Sequence, residues 1–124
     1  MAVSSSASFQ ALRHQRHSRW LADLTCRLQE LVAMQATSED QHLEFLLFGS
    51  RARGDWDGYS DTDLLVVAPE QSVADRWADR LLEAGAAHDV LPLNLSRWQT
   101  MQESPSPYWR AVKSQAISLL SWCP

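Results

Sequence analysis

Cysteine is scarce in this chain. Among 124 residues there are two, Cys26 and Cys123, set far apart and without the close spacing of a metal-ligand pair. The four histidines, at positions 14, 17, 42 and 88, are scattered and join no His/Cys cluster, so no zinc site is read. No signal peptide is read at the start and no apolar run is long enough to span a bilayer. With so little cysteine, the expectation is a cytoplasmic protein with no membrane attachment. Positive charge is not in surplus either. A net charge of −4 argues against stable nucleic-acid binding through bulk electrostatics, though not against a nucleotide substrate. No internal repeat is present. The chain is 45% hydrophobic and long enough for one compact domain, too short for two ordinary ones. The reading is a flexible tail over residues 1–8, small and polar with three consecutive serines, then a single domain over 9–124.

One stretch organises the rest, LLFGSRARGDWDGYSDTDLLVV from Leu46 to Val67. An apolar run, Leu43 to Phe48, ends at Gly49-Ser50, and a second, Leu64 to Val67, is entered through Asp61-Thr62-Asp63. Both runs read as buried strands. Strand side chains alternate with period two, so Asp61 and Asp63 share one face and Thr62 takes the other. Two carboxylates at one half-buried spot repel by roughly 1–4 kcal/mol, which calls for a cation or a shared proton. Mg²⁺ is the natural candidate. Glycine at a strand end permits a sharp turn, and a serine opening a helical turn offers a hydroxyl and free N–H groups to an anion. Arg51 and Arg53 stand beside them, and Gly54 and Gly58 keep the connection loose. A lone Gly-Ser or a lone Asp-x-Asp is most often only a turn. Their order, with a spacer over residues 51–60 between them, is what points to a phosphate cradle joined to a metal clamp.

Around this core the periodicities are simple. From Phe9 a long helix is expected, with Leu21, Leu24, Leu28 and Leu31 on one stripe widened by Trp20 and Val32. Its first turns carry Arg13, His14, Arg16, His17 and Arg19, a solvated face or a contact for an anion or partner. Thr37 to Asp40 reads as a loop. Ser72 and Asp75 look like a helix N-cap and its acidic third position, Val73, Trp77 and Leu81 share a buried face, and Gly85 suits the stop. A third strand is expected over His88–Leu95. If the intervening helix is a crossover, strands two and three are parallel and begin at the same edge, where Asp89 joins Asp61 and Asp63. Strand one must then run antiparallel to strand two, giving a mixed sheet. Ser96 and Gln99 suggest a capping box, Pro107 opens a last helix, and Ile117–Trp122 adds a final strand.

This ordered pattern resembles the minimal nucleotidyltransferases of the DNA polymerase β-like nucleotidyltransferase superfamily. Their signature is Gly-Ser, a spacer of this length, then Asp-x-Asp, often with Ala-Arg-Gly after the serine and Ser before the first aspartate. Gly49, Ser50, Ala52, Arg53, Gly54, Ser60, Asp61, Asp63 and Leu64 stand in those places. Before its last strand the family often has an acidic-Gly pair, whereas this chain has Ser114-Gln115-Ala116. The resemblance implies an α+β nucleotidyltransferase fold, a small mixed sheet with helices packed on it. It makes Asp89, alone an unremarked loop residue, the third acid.

The same resemblance implies a function. Asp61, Asp63 and Asp89 would be the catalytic residues and the ligands of two Mg²⁺ ions, with ATP as nucleotide donor. Gly49 and Ser50, with Arg51 or Arg53, would grip its phosphates. Minimal nucleotidyltransferases are commonly antitoxins that transfer AMP to a tyrosine of a HEPN ribonuclease toxin, so the leading expectation is a hetero-oligomer with such a partner. Two alternatives stay open: transfer to a small alcohol such as an aminoglycoside, and neutralisation of the partner by binding alone. Trp98, Tyr108, Trp109 and Trp122, with Arg13, Arg16, Arg19 and Arg110, are the expected recognition surface, at least half of the aromatics being buried.

Overall fold

Strands that are apolar on both sides need cover on both faces, and that requirement sets the architecture. The computed structural model describes residues 5–57 and 60–124. Helix α1 (Ser5–Gln35) leads through a 3₁₀ turn (Ser38–Asp40) to β1 (Leu43–Phe48) and the single turn α2 (Ser50–Arg53). After β2 (Asp63–Ala68) come α3 (Gln71–Glu83), β3 (Asp89–Asn94) and α4 (Leu95–Thr100). A second 3₁₀ turn (Met101–Glu103), α5 (Pro107–Gln115) and β4 (Ile117–Trp122) complete the chain. The sheet order is β3-β2-β1-β4, with β1 antiparallel to both β2 and β4 and β2 parallel to β3. This is the mixed sheet expected from the crossover helix, and the final strand is present.

Period-two alternation divides the core. Leu43, Phe45, Leu47, Leu64 and Val66 face a layer made by Leu24, Leu28 and Val32 of α1 and Val73, Trp77 and Leu81 of α3. Leu46, Phe48, Leu65, Val67 and Leu93 face the other way, onto Trp98, Met101 and Val112. Helices on both faces account for the unbroken apolar reading of β1 and β2. Only the C-terminal half of α1 takes part. Its 31 residues run roughly 46 Å at 1.5 Å per residue, and Phe9 and Leu12 project from the free half, 71% and 48% exposed.

Several element ends differ from expectation for local reasons. The tail predicted over residues 1–8 falls partly outside the described residues, and from Ser5 the chain is already helical. Gly58 also lies outside them. Residues 38–40 form a turn rather than a loop because the Thr37 N–H donates to Asp40 Oδ2 at 2.8 Å, while Arg76 donates to Oδ1 at 2.8 Å. Helix α3 starts at Gln71, one residue before the expected cap Ser72. The Gln71 side chain donates to Pro92 O (3.0 Å) and accepts from Asn94 N–H (3.1 Å), lashing the helix start to β3. Helix α4 is capped by Asn94, whose Oδ1 accepts the Arg97 N–H at 2.8 Å, so Ser96 lies inside the helix. Gly85 closes α3 as expected, at φ +68° with the Ala86 N–H returning to Leu81 O (3.0 Å). Of the four aromatics expected at a recognition surface, Trp98 alone is buried. Trp109 and Trp122 are half-buried and Tyr108 is 57% exposed.

Candidate active site at the carboxylate edge

The parallel pairing of β2 with β3 does most of the assembly. Asp63 is the register partner of Asp89, so two carboxylates begin adjacent strands at the same end of the sheet, one strand spacing of about 4.8 Å apart. Asp63 stands in phase with Leu65 and Val67, which belong to the layer under α4 and α5. Asp61 lies two residues upstream and is fully open, its side chain 73% exposed. Asp89 is exposed and Asp63 half-buried. The two loops that deliver them are stitched together: the Thr62 N–H donates to His88 Nδ1 (2.8 Å), and Thr62 O accepts from the N–H groups of His88 (2.9 Å) and Asp89 (3.3 Å).

Burial raises the pKa of Asp63, and the charges of Asp89 and Asp61 raise it further, against the opposing pull of His88 and Arg53. Asp61 and Asp89 are therefore each within electrostatic reach of Asp63. His88, at the start of the expected third strand, is a brace in the structure. Its Nδ1 already accepts the Thr62 N–H, so the 4.0 Å approach to Asp61 Oδ1 is no hydrogen bond but two groups facing the same space. A histidine flanking the third acid was visible in the sequence; that it holds the loop of the first two was not.

Gly49 joins the cradle to the carboxylates. It sits at φ 77°, ψ −157°, a region that only glycine occupies at ease, and a Cβ there would lie 2.5 Å from Asp63 Oδ2. Its carbonyl accepts from Ala52 and Arg53 N–H, which turns the chain straight from β1 into α2. Ser50 opens that turn, where the first N–H groups of a helix have no acceptor within it. The predicted Gly-Ser and Asp-x-Asp segments are thus brought into contact.

The two arginines part company. Arg53 is 42% exposed, pairs with Asp55 at 3.4 Å, and is close enough to draw down the pKa of Asp63. Arg51 is 9% exposed and points back to α1, its guanidinium 4.5 Å from the Trp20 ring centre and 4.8 Å from that of Trp56. His17 stacks on the same two rings, and Arg13 lies over Trp56 while donating to the carbonyls of Gly54 and Trp56. The stack anchors the chain after α2. Trp20 was read from its helical stripe, while Trp56, inside a polar loop, carried no periodicity that could have flagged it.

Among the described residues no three His, Cys, Asp or Glu side chains are drawn into one ligand set. In chemistry the carboxylate edge nonetheless fits a hard divalent cation. Its donors are oxygens, and a cation relieves both the burial of the Asp63 carboxylate and the like charges of Asp89 and Asp61 beside it. None of the described helices is long and apolar enough to cross a membrane.

Comparison with known proteins agrees with this geometry. No curated protein and no solved structure matches the chain. A family described as nucleotidyltransferase domain matches residues 33–104, and its members generally use a nucleoside triphosphate and a divalent metal. That match takes in more than half of the chain and every residue of the carboxylate edge and glycine turn, so the chain belongs to the nucleotidyltransferase domain family and is a transferase of nucleotidyl groups.

Proposed function

We propose that this chain transfers AMP from ATP to a tyrosine hydroxyl of a partner protein, and that the partner is a HEPN-type ribonuclease toxin which it thereby neutralises. The observation that carries the nucleotidyl-transfer part is the register pairing of Asp63 with Asp89, with Gly49 seated against Asp63. Asp61, Asp63 and Asp89 would hold Mg²⁺, two ions in the fullest arrangement, which supplies a lowered pKa for the attacking hydroxyl and neutralises charge on the phosphates. Asp89, on the edge strand, would accept the proton of the incoming hydroxyl. The Ser50 hydroxyl, the N–H groups that open α2, and Arg53 bind the β and γ phosphates and hold the donor as pyrophosphate leaves. Arg51, committed to its tryptophans, supports the loop instead.

The protein acceptor rests on the resemblance to minimal nucleotidyltransferases and on what lies outside the family match. There the chain offers the free half of α1 and the α5–β4 segment, with Tyr108 exposed and Trp109 and Trp122 half-covered. The test is incubation of the chain with α-labelled ATP, Mg²⁺ and the product of the neighbouring gene, followed by intact-mass measurement. The expected result is label on the neighbour and a mass gain of one AMP. Efficient turnover of a small alcohol by the isolated chain, with a neighbour that neither binds nor gains mass, would overturn the reading.

A further inference from the structure

A roomy cavity among the described residues lies away from the carboxylates. It has a volume of about 630 Å³, in the range of ligand-binding pockets, and it opens between the N-terminal half of α1 and the chain following α2. Asp61, Asp63 and Asp89 are not among its lining residues. Its wall carries three arginines, Arg13, Arg16 and Arg51, against a single carboxylate, Asp57, and one end is apolar, formed by Phe9 and Leu12.

The charge here runs against the rest of the protein. Residues 1–22 contain no aspartate or glutamate in a chain whose net charge is −4. Inside the wall, Arg51 is nine-tenths buried, and its Nε has no hydrogen-bond partner among the described residues, as is also true of His17 Nδ1. A buried N–H normally finds an acceptor, so the wall presents unspent capacity for one. The tryptophan faces do not offer the same opportunity to a planar ligand, because Arg13, Arg51 and His17 already lie against them.

We infer that this cavity is the docking site for an acidic segment of a partner protein whose apolar residues cover Phe9 and Leu12 while its carboxylates meet the arginine edges. Charge complementarity selects an acidic occupant. The two exposed apolar side chains, three residues apart on one helix face beside Arg13 and Arg16, select a polypeptide with apolar residues over a small anion. The inference rests on the reading that the acceptor is a protein, and it adds where that protein is held. Helix α2 links the two places, with Gly49 against Asp63 at its start and Arg51 buried in the cavity wall less than one turn later. A segment seated here is thus one helical turn of chain from the nucleotide edge.

The test is direct binding, with no transfer step. A fluorescein-labelled amphipathic peptide of Glu and Leu at helical spacing is titrated by anisotropy, in EDTA, against the full-length protein and its R16E and F9S variants. The counterpart peptide with Lys for Glu serves as control. Both altered residues are exposed, so folding is preserved, and titration of an ATP analogue with Mg²⁺ checks that the nucleotide edge is intact in each. The expected result is saturable binding of the acidic peptide alone, weakened at least tenfold by R16E and several-fold by F9S, with analogue affinity unchanged. Equal binding of the two peptides, or undiminished binding by R16E, overturns the inference. So does displacement of the acidic peptide by tripolyphosphate at lower concentration, or tighter binding of a single-stranded oligonucleotide, either of which reassigns the cavity. Labelling of the neighbouring protein by R16E and F9S at the wild-type rate would remove the docking site and leave AMP transfer standing. Peptide binding without any labelling would do the reverse.

Discussion

Replacing Gly49 by alanine tests the junction of cradle and carboxylates in one step. Two costs arise. The backbone at φ 77°, ψ −157° is strained for any residue with a Cβ, by about 1–3 kcal/mol. The added methyl would also sit 2.5 Å from Asp63 Oδ2. A carboxylate is the movable end of a side chain, so it swings aside at little further expense in stability, but the swing moves its oxygens from their place beside Asp89. Stability and binding should therefore respond separately. At roughly 3–6 °C per kcal/mol for a domain of this size, thermal melting in EDTA should fall by about 3–18 °C. Affinity for a non-hydrolysable ATP analogue with Mg²⁺ should fall by more than in Ser50→Ala, which alters neither backbone nor carboxylate. Repeating the substitution in an Asp63→Ala background isolates the backbone part. There the methyl meets no carboxylate, the melting penalty remains, and no further loss of analogue affinity is expected. If Gly49→Ala melts within about a degree of wild type and binds the analogue equally well, the glycine is only a turn residue and the coupling drawn between the two segments is wrong.

Other outcomes turn on single sites. Asn in place of Asp61, Asp63 or Asp89 should abolish nucleotidyl transfer while leaving metal-free melting unchanged or raised, since each removes like-charge repulsion; lost stability with retained activity would remove that residue from the site. Asp40, 1% exposed, is held below the usual carboxylate range because the Thr37 N–H and Arg76 outweigh the effect of burial. Its folded pKa is depressed, so its contribution is complete above the unfolded pKa of about 3.9 and is lost as pH falls through the folded value. Asp40→Asn should cost about 1–3 kcal/mol at neutral pH, with the difference from wild type shrinking in acid, followed by urea unfolding across pH. Arg51→Lys should lose about 1–2 kcal/mol in the same assay, because an ammonium cannot lie flat between two indoles, whereas Arg53→Lys should stay within about 0.5 kcal/mol. Equal effects at 51 and 53 would contradict the stack.

The strands, their directions and the crossover were legible because each rested on a signal with a physical scale. Two apolar runs with no polar alternation demanded cover on both faces, and a helix between strands two and three fixed them as parallel. Topology then brought the aspartates at the starts of those strands to one edge, and the family resemblance marked Asp89 as the third acid. The misplaced helix starts have two causes. Asn94 was a local cap that competed with Ser96, accepting the Arg97 N–H three residues on, whereas Gln71 bonds across to β3, which no local pattern announces. The same holds for Arg51. Its position beside Gly49-Ser50 suggested a phosphate contact, and only the packing of a distant helix, bringing Trp20 over the loop, shows where its guanidinium goes.

The order β3-β2-β1-β4 divides the carboxylates between unequal supports. Asp63 belongs to a central strand, hydrogen-bonded on both sides, whereas Asp89 belongs to a border strand that has one neighbour and the Gln71 lashing behind it. Border strands exchange their amide hydrogens sooner, by small openings that leave the interior closed. The third acid can thus be withdrawn without unfolding the first two, and anything that bridges Asp63 and Asp89 must hold that border shut. Slowed deuterium uptake on Asp89–Asn94, with Asp63–Ala68 unaffected, would be the mark of an occupied site, readable without following any reaction.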